Sequence, residues 1–209
     1  MEQRSNEWYL ARLGKVTGSR IHDVMAKGKG NAPSVTRHEY MCQLVCERLT
    51  GEPMPNYVNA AMQWGVDNEL EAKLSYEFSR GVQVKELAFA NHFTIKKAGA
   101  SPDGLIGDDG LIEIKCPNTA THIATLKGKS IDPKYIKQMQ WQMACTSRLW
   151  CDFTSFDPRL PFHLQMHVIR VERDNEMIGE LEDKVQKFLQ ELDELEQELM
   201  EMNHEREAA

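Results

Sequence analysis

The segment SPDGLIGDDGLIEIKCP, residues 101–117, constrains the fold more than any other stretch of the chain. Glycine and aspartate at Gly107–Gly110 form a turn between two short apolar runs, the pattern of a β-hairpin. Side chains alternate across a strand, so Glu113 and Lys115 share one face of the second run while Ile112 and Ile114 point to the other. An acid and a lysine thus project together from an otherwise hydrophobic strand. Asp103, set at a bend by Pro102 and Gly104 at the mouth of the first run, can lie across the hairpin from Glu113.

Two carboxylates converging near the backbone carbonyl of Ile114 make a hard oxygen site suited to Mg²⁺ rather than zinc. Such an ion can polarise a phosphate and acidify a bound water, and a lysine beside it can orient that water and offset developing negative charge. These are the parts that phosphodiester hydrolysis needs. The competing reading is a surface hairpin carrying an inert Glu/Lys pair. Context favours chemistry: the strand is too apolar for a solvated edge, and Gln138 and Gln142 share one face of the next predicted helix.

Around this hairpin the pattern is α/β. Apolar residues at helical spacing run from Trp8 to Met25, from Arg37 to Leu49 and from Ala60 to Ser79, the first two stretches separated by the mobile connection AKGKGNAPS and the last preceded by the turn-rich GEPMPN. The two lysines of AKGKGNAPS either touch phosphate or are simply solvated. Strand-like runs follow at Leu87–Ile95, Gly99–Ile106 and Leu111–Cys116, then a helix over Pro133–Thr146 capped by Asp132, then strands at Leu149–Phe156 and His163–Val171. This order predicts a mixed central sheet flanked by helices.

From Leu181 an apolar residue recurs at alternating four- and three-residue steps, through Val185, Phe188, Leu192, Leu195, Leu199 and Met202, giving an amphipathic C-terminal helix. Its stripe either packs on the body or a neighbouring subunit, or docks another protein. Its acidic flanks disfavour a parallel homomeric coiled coil.

A length of 209 residues suits one domain, with a body over 7–171 and an acidic helical tail over 172–209. No apolar run approaches the roughly 20 residues that span a bilayer, and the N-terminus lacks a secretory pattern, so the cytoplasm is the expected location. The five cysteines are scattered without a CxxC pair, which argues for reduced thiols over disulfides or a zinc ribbon; Cys42 and Cys46 are expected to pack in a helix core. The net charge of −7 divides unevenly, at −10 from Glu172 onward and +3 before it. A polyanion can therefore approach the body while the tail stays clear of it.

PD-x₉-ExK followed by Tyr135 and Gln138 on a helix resembles the PD-(D/E)xK nuclease superfamily, and more narrowly the phage lambda exonuclease-like, YqaJ-type viral recombination nucleases. EWYLARLGKVTGSRIHDVMA, WGVDNELEA, SPDGL, EIKCP, YIKQMQ and the FDPR at Phe156–Arg159 carry the likeness, in order, from about Glu7 to Arg170. The resemblance implies a metal-dependent exodeoxyribonuclease working 5′→3′ on double-stranded DNA ends, with two Mg²⁺ ions for which Mn²⁺ can substitute. Asp103, Glu113 and the Ile114 carbonyl would hold one ion and Glu69 with Asp103 a second, while Lys115 and Gln138 position the attacking water. Taken without the resemblance, Glu69 is an ordinary solvated helix carboxylate. The likeness further places Arg12, Ser19 and Ser101 at a 5′-terminal phosphate, and Met62, otherwise a packing residue, as an apolar wedge at the duplex end.

A ring of three identical subunits and a single-strand annealing partner for the 3′ overhang are implied in the same way, and a longer N-terminal extension found in relatives is expected to be absent. Two alternatives remain open at this stage. One is a structure-specific or restriction-type endonuclease using the same metal site; the other is a binding module that keeps the fold without cutting, against which an intact Asp103, Glu113, Lys115 and Gln138 argue. The iron–sulfur members of the superfamily need four cysteines flanking the core, and this distribution does not supply them.

Overall fold

The computed structural model describes residues 1–30, 34–55 and 59–207, the last five as helix backbone alone. In chain order the elements are α1 (Asn6–Arg12), β1 (Val16–Thr17), α2 (Ile21–Val24), α3 (Val35–Thr50), α4 (Ala60–Arg80), β2 (Val84–Lys85), β3 (Ala90–Asn91), β4 (Ala98–Ala100), β5 (Gly104–Ile106) and β6 (Gly110–Lys115). They continue with α5 (Thr119–Leu126), α6 (Pro133–Thr146), β7 (Trp150–Phe156), β8 (Met166–Glu172) and α7 (Asn175–Glu207). The expected α/β class and mixed sheet are present. Five strands in the order β2-β5-β6-β7-β8 form the main sheet, and β1-β4-β3 a smaller one.

The hairpin is built as its sequence demands. β5 and β6 pair antiparallel with Gly104 opposite Ile112, and Gly107 takes a left-handed φ of 52° in the turn. β6 then runs parallel to β7, which covers its other edge and buries it in the middle of the sheet. The strand expected over Gly99–Ile106 is interrupted. Pro102 has no N–H for a ladder, so the chain leaves the small sheet after Ala100 and enters the main one at Gly104. Ser101 and Asp103 therefore lie at the passage between the two sheets.

Four other expectations are corrected. The helix expected from Trp8 to Met25 stops at Arg12, because Gly14 adopts φ 63°, its N–H donates to Glu47 Oε2 at 3.0 Å, and Val16–Thr17 pairs with Ala98–Gly99. The strand expected over Leu87–Ile95 shrinks to Ala90–Asn91, since His92 Nδ1 accepts the N–H groups of Thr94 and Ile95 and turns the chain there. The last strand begins at Met166, after a 3₁₀ turn at Phe162–Leu164. Helix α5 was not anticipated and makes α6 the second helix after the hairpin. Asn118 caps it by accepting the Thr121 N–H at 2.9 Å. The predicted mobile connection includes residues 31–33 and the segment GEPMPN ends at residue 56, all outside the described residues.

The apolar stripe of α7 divides in two. Leu181, Val185, Phe188 and Leu192 are buried against α2, α3 and α6, whereas Leu199 and Met202 are exposed. Basic residues of the body fasten the helix: Arg37 to Glu191 at 2.7 Å, Arg48 to Asp193 at 2.6 Å and Lys97 to Asp193 at 2.9 Å. Cys42 is exposed with its Sγ 3.5 Å from His38 Nε2, and Cys46 is half-buried, because α3 turns Tyr40, Met41, Leu44 and Val45 inward instead. All five cysteines are free thiols. Among the described residues no helix is long and apolar enough to cross a membrane.

Candidate active site

Beside the hairpin opens a cleft of about 940 Å³ whose walls come from the N-terminal segment, α4, β6, α5 and α6. Asp103, Glu113, Ile114, Lys115, Gln138, Glu69, Arg12, Ser19, Ser101 and Met62 all line it. These ten residues are thus brought to one cavity, although they span residues 12 to 138. Among the described residues none of α7 lines it. Lys27 and Lys29 are exposed and stand outside it.

Glu113 is fully buried at the centre of the sheet, and its carboxylate collects three donors. Lys115 Nζ and Gln138 Nε2 reach Oε1, the latter at 2.7 Å, and Gln142 Nε2 reaches Oε2 at 2.7 Å. The two glutamines come from one face of α6, four residues apart, as their spacing requires. Asp103 crosses the hairpin as expected: its Oδ2 accepts the Ile114 N–H at 2.6 Å, in place of the ladder bond that β5 is too short to supply.

The charges of this group are unbalanced. Burial, followed by the neighbouring Glu113 carboxylate, holds the Asp103 carboxyl well above the usual carboxylate range, with Lys115 only partly opposing it. Burial alone would pull Lys115 down, but Glu113 and Asp103 outweigh it and keep the ammonium charged far into alkali. The Cys116 thiol is pushed up to about 12 by burial and by the charges of Glu69 and Asp103, so it stays protonated and unreactive.

These features fit a divalent cation. Two crowded acids and a backbone carbonyl are hard donors, and a cation would offset the burial and the Glu113 charge that raise the Asp103 carboxyl. Among the described residues no three His, Cys, Asp or Glu side chains form a complete cage. Glu69 lines the same cleft but its Oε2 is held by Arg4 at 2.5 Å.

At the other end of the cleft Arg12 donates to Ser101 Oγ at 3.0 Å and stacks 4.1 Å from the Trp8 ring centre, while Trp8 Nε1 donates to the same hydroxyl at 2.9 Å. Ser19 follows β1 on the 3₁₀ turn that replaces the middle of the expected long helix. Burial lowers the Arg12 pKa from its ordinary value, yet leaves it cationic. A desolvated guanidinium beside hydroxyl groups is a suitable receptor for a phosphate dianion.

Sequence reasoning missed four contributors. Gln142 was seen on the right face but not as a second amide on Glu113. Arg4 and Trp8 carried no local signal of a cleft role. Arg159 lay within the noted FDPR, and its setting is tertiary: Asp157 grips it at 2.7 Å, and the guanidinium stacks 4.3 Å from the Trp64 ring centre.

Fold and cleft together define a nuclease of the PD-(D/E)xK type. The chain belongs to the YqaJ-like viral recombinase domain family, whose sequence model matches residues 7–148, and it is accordingly lambda-exonuclease-like. Nucleases of this family are hydrolases that act on DNA, in general with a divalent metal, and the chain is an enzyme of that class. It is 49% identical to an alkaline exonuclease from Laribacter hongkongensis, covering 96% of this chain and 99% of that one with a TM-score of 0.89; a second structure of that enzyme holds dAMP. A phage-related exonuclease from Haemophilus somnus 129PT shares the fold at 19% identity and a TM-score of 0.71, over 88% of this chain and 96% of that one. An uncharacterized protein, R354, of Acanthamoeba polyphaga mimivirus is 26% identical over 165 residues, and the alignment covers 73% of this chain but 28% of that curated relative.

Proposed function

We propose that this chain is a Mg²⁺-dependent 5′→3′ exonuclease that digests one strand of linear double-stranded DNA and leaves a 3′ overhang for a single-strand annealing protein. The observation that carries the reading is the buried Glu113, gripped by Lys115, Gln138 and Gln142 and facing Asp103 in a cleft that also contains Arg12 and Ser101. When bound between Asp103, Glu113 and the Ile114 carbonyl, a divalent cation supplies Lewis-acid polarisation of the scissile phosphate and an acidified water. Mn²⁺ can take its place, and Glu69 with Asp103 accepts a second ion.

The chain's own groups do the rest. Lys115 and Gln138 orient the attacking water, and the Lys115 ammonium offsets charge that develops on the phosphate. Arg12, Ser19 and Ser101 receive the 5′-terminal phosphate and set the register of the end against the carboxylates, while Met62, exposed on the first turn of α4, wedges the strands apart. Residues 1–209 act as one nuclease domain. The relative's dAMP complex agrees with a product of the nucleoside monophosphate class. Three copies ring the DNA, in the cytoplasm of the host, and the exposed end of α7 at Leu199 and Met202 faces the annealing partner.

Digestion of plasmid with Mg²⁺ tests this directly. Linear duplex carrying 5′ phosphates is consumed, 5′-labelled ends are released first, and closed circles survive. Cutting of closed circles would assign the site to an endonuclease instead, and equal rates on 5′-phosphate and 5′-hydroxyl ends would remove the Arg12 pocket from the mechanism.

A further inference from the structure

The N-terminal segment sets a cation of the protein's own against the candidate metal site. Arg4 pairs with Glu69 Oε2 at 2.5 Å, and both side chains line the cleft with Asp103 and Glu113. This is not a chance meeting of two long side chains on open surface. Gln3 Nε2 donates to the carbonyls of Pro102 at 2.9 Å and Leu87 at 3.3 Å, which ties residues 3 and 4 to the bend just before Asp103. Arg4 has φ 69°, a left-handed conformation that non-glycine residues seldom adopt, and it sits in a turn closed by the Ser5 N–H on the Glu2 carbonyl. Ser5 then caps α1 by accepting the Trp8 N–H. Hydrogen bonds on both sides thus hold a strained residue at the cleft wall. The charges of Glu69 and Glu113 both act on Asp103, so the three acids share one field.

We infer that Arg4 is an internal counter-ion that competes with a divalent cation for Glu69 and so sets how readily the second ion loads. This rests on the metal-site reading above. In the cation-free protein the guanidinium neutralises the third acid of the cleft; loading an ion between Glu69 and Asp103 requires the Arg4–Glu69 pair to open. Arg4 is a positioning residue, acting through Glu69. Removing it has two effects of one sign, since a positive charge leaves the ion's neighbourhood and both Glu69 oxygens become free.

The test is titration of the full chain with Mn²⁺ alone, without DNA, following free Mn²⁺ by electron paramagnetic resonance. Arg4→Ala and Arg4→Gln should tighten the weaker binding step roughly two- to fivefold, the scale of a partly exposed ion pair, and leave the tighter step unchanged. Arg4→Gly, which suits the left-handed turn, should tighten it likewise and so separates charge from backbone, while Arg4→Lys stays close to the parent. A second step appearing only in the variants supports the proposal equally. Asp103→Asn keeps the two levels apart. If it leaves Mn²⁺ binding untouched, the metal-site reading itself has failed; if it abolishes binding while all Arg4 variants titrate like the parent, Arg4 is a tether and this proposal alone is overturned.

Discussion

Two acids are buried on opposite faces of the main sheet, Glu113 on β6 and Asp152 on β7, where Asp152 is the register partner of Ile112 and Glu113 that of Phe153. Asp152 is balanced. Arg170 grips it with two bonds of 2.8 and 3.0 Å while stacking 3.6 Å from the Trp150 ring centre, and the Tyr76 hydroxyl of α4 donates to it at 2.6 Å. Glu113 has two amides and a lysine that it shares with a second, half-buried acid, Asp103. One face closes its electrostatics internally. The other holds more negative charge than its own cation can settle, an arrangement that persists where a ligand completes it.

The sharpest break between the two sites is in activity. Glu113→Gln and Lys115→Ala should each lower nucleotide release from linear duplex by roughly a thousandfold or more with DNA binding retained, whereas Asp152→Asn should leave activity per folded molecule near that of the parent. Comparable losses at both sites would erase the distinction. Stability should respond the other way round. Asp152→Ala leaves Tyr76 and Arg170 without their shared acceptor and should cost about 2–3 kcal/mol in denaturant unfolding, below the full cost of an orphaned buried charge because Arg170 is half-exposed and rehydrates.

Asp157 extends the balanced class to the cleft rim. Although its burial opposes ionisation, hydrogen bonds from Arg159 and Thr119 hold it down to about 2. A lowered carboxylate stabilises the fold above its unfolded value near 4 and loses that contribution as pH falls through 2, so acid unfolding of Asp157→Asn should lack a component of about 2 kcal/mol over that window. An unchanged pH profile would remove Asp157 from this class. The smallest effect has the opposite sign. Asp103 is raised by burial and by Glu113, so it subtracts stability as pH rises from its unfolded value near 4 toward its higher folded value, and the loss is complete above that. In chelator at neutral pH, Asp103→Asn should raise the melting temperature, by about 1 kcal/mol equivalent, because the amide oxygen still accepts the Ile114 N–H. A lowered melting temperature would show that the acid is already compensated.

What could be read in advance was local. Strand alternation placed Glu113 with Lys115, a tight turn brought Asp103 across to them, and Asp132–Pro133 fixed the start of α6 to the residue. The division of α7 was legible as a stripe but not as a boundary, since burial up to Leu192 and exposure from Leu199 depend on where α2, α3 and α6 end. Non-local pairings were invisible. Gly14 breaks the first helix only because Glu47 and the β1–β4 pair wait for it, and α5 forms from a β-branched stretch that propensity disfavours. Glu69 looked like any solvated helix acid without the family likeness, and its partner Arg4 lies 65 positions away in a turn that no periodicity marks.

Crystals soaked in Mn²⁺ and measured on both sides of the manganese edge address the cleft most directly. An anomalous peak should stand within coordination distance of the Asp103 and Glu113 carboxylates and the Ile114 carbonyl oxygen, and vanish in Glu113→Gln. Manganese bound only elsewhere, with that position empty at saturating concentration, would contradict the assignment of these two acids as the catalytic cation site.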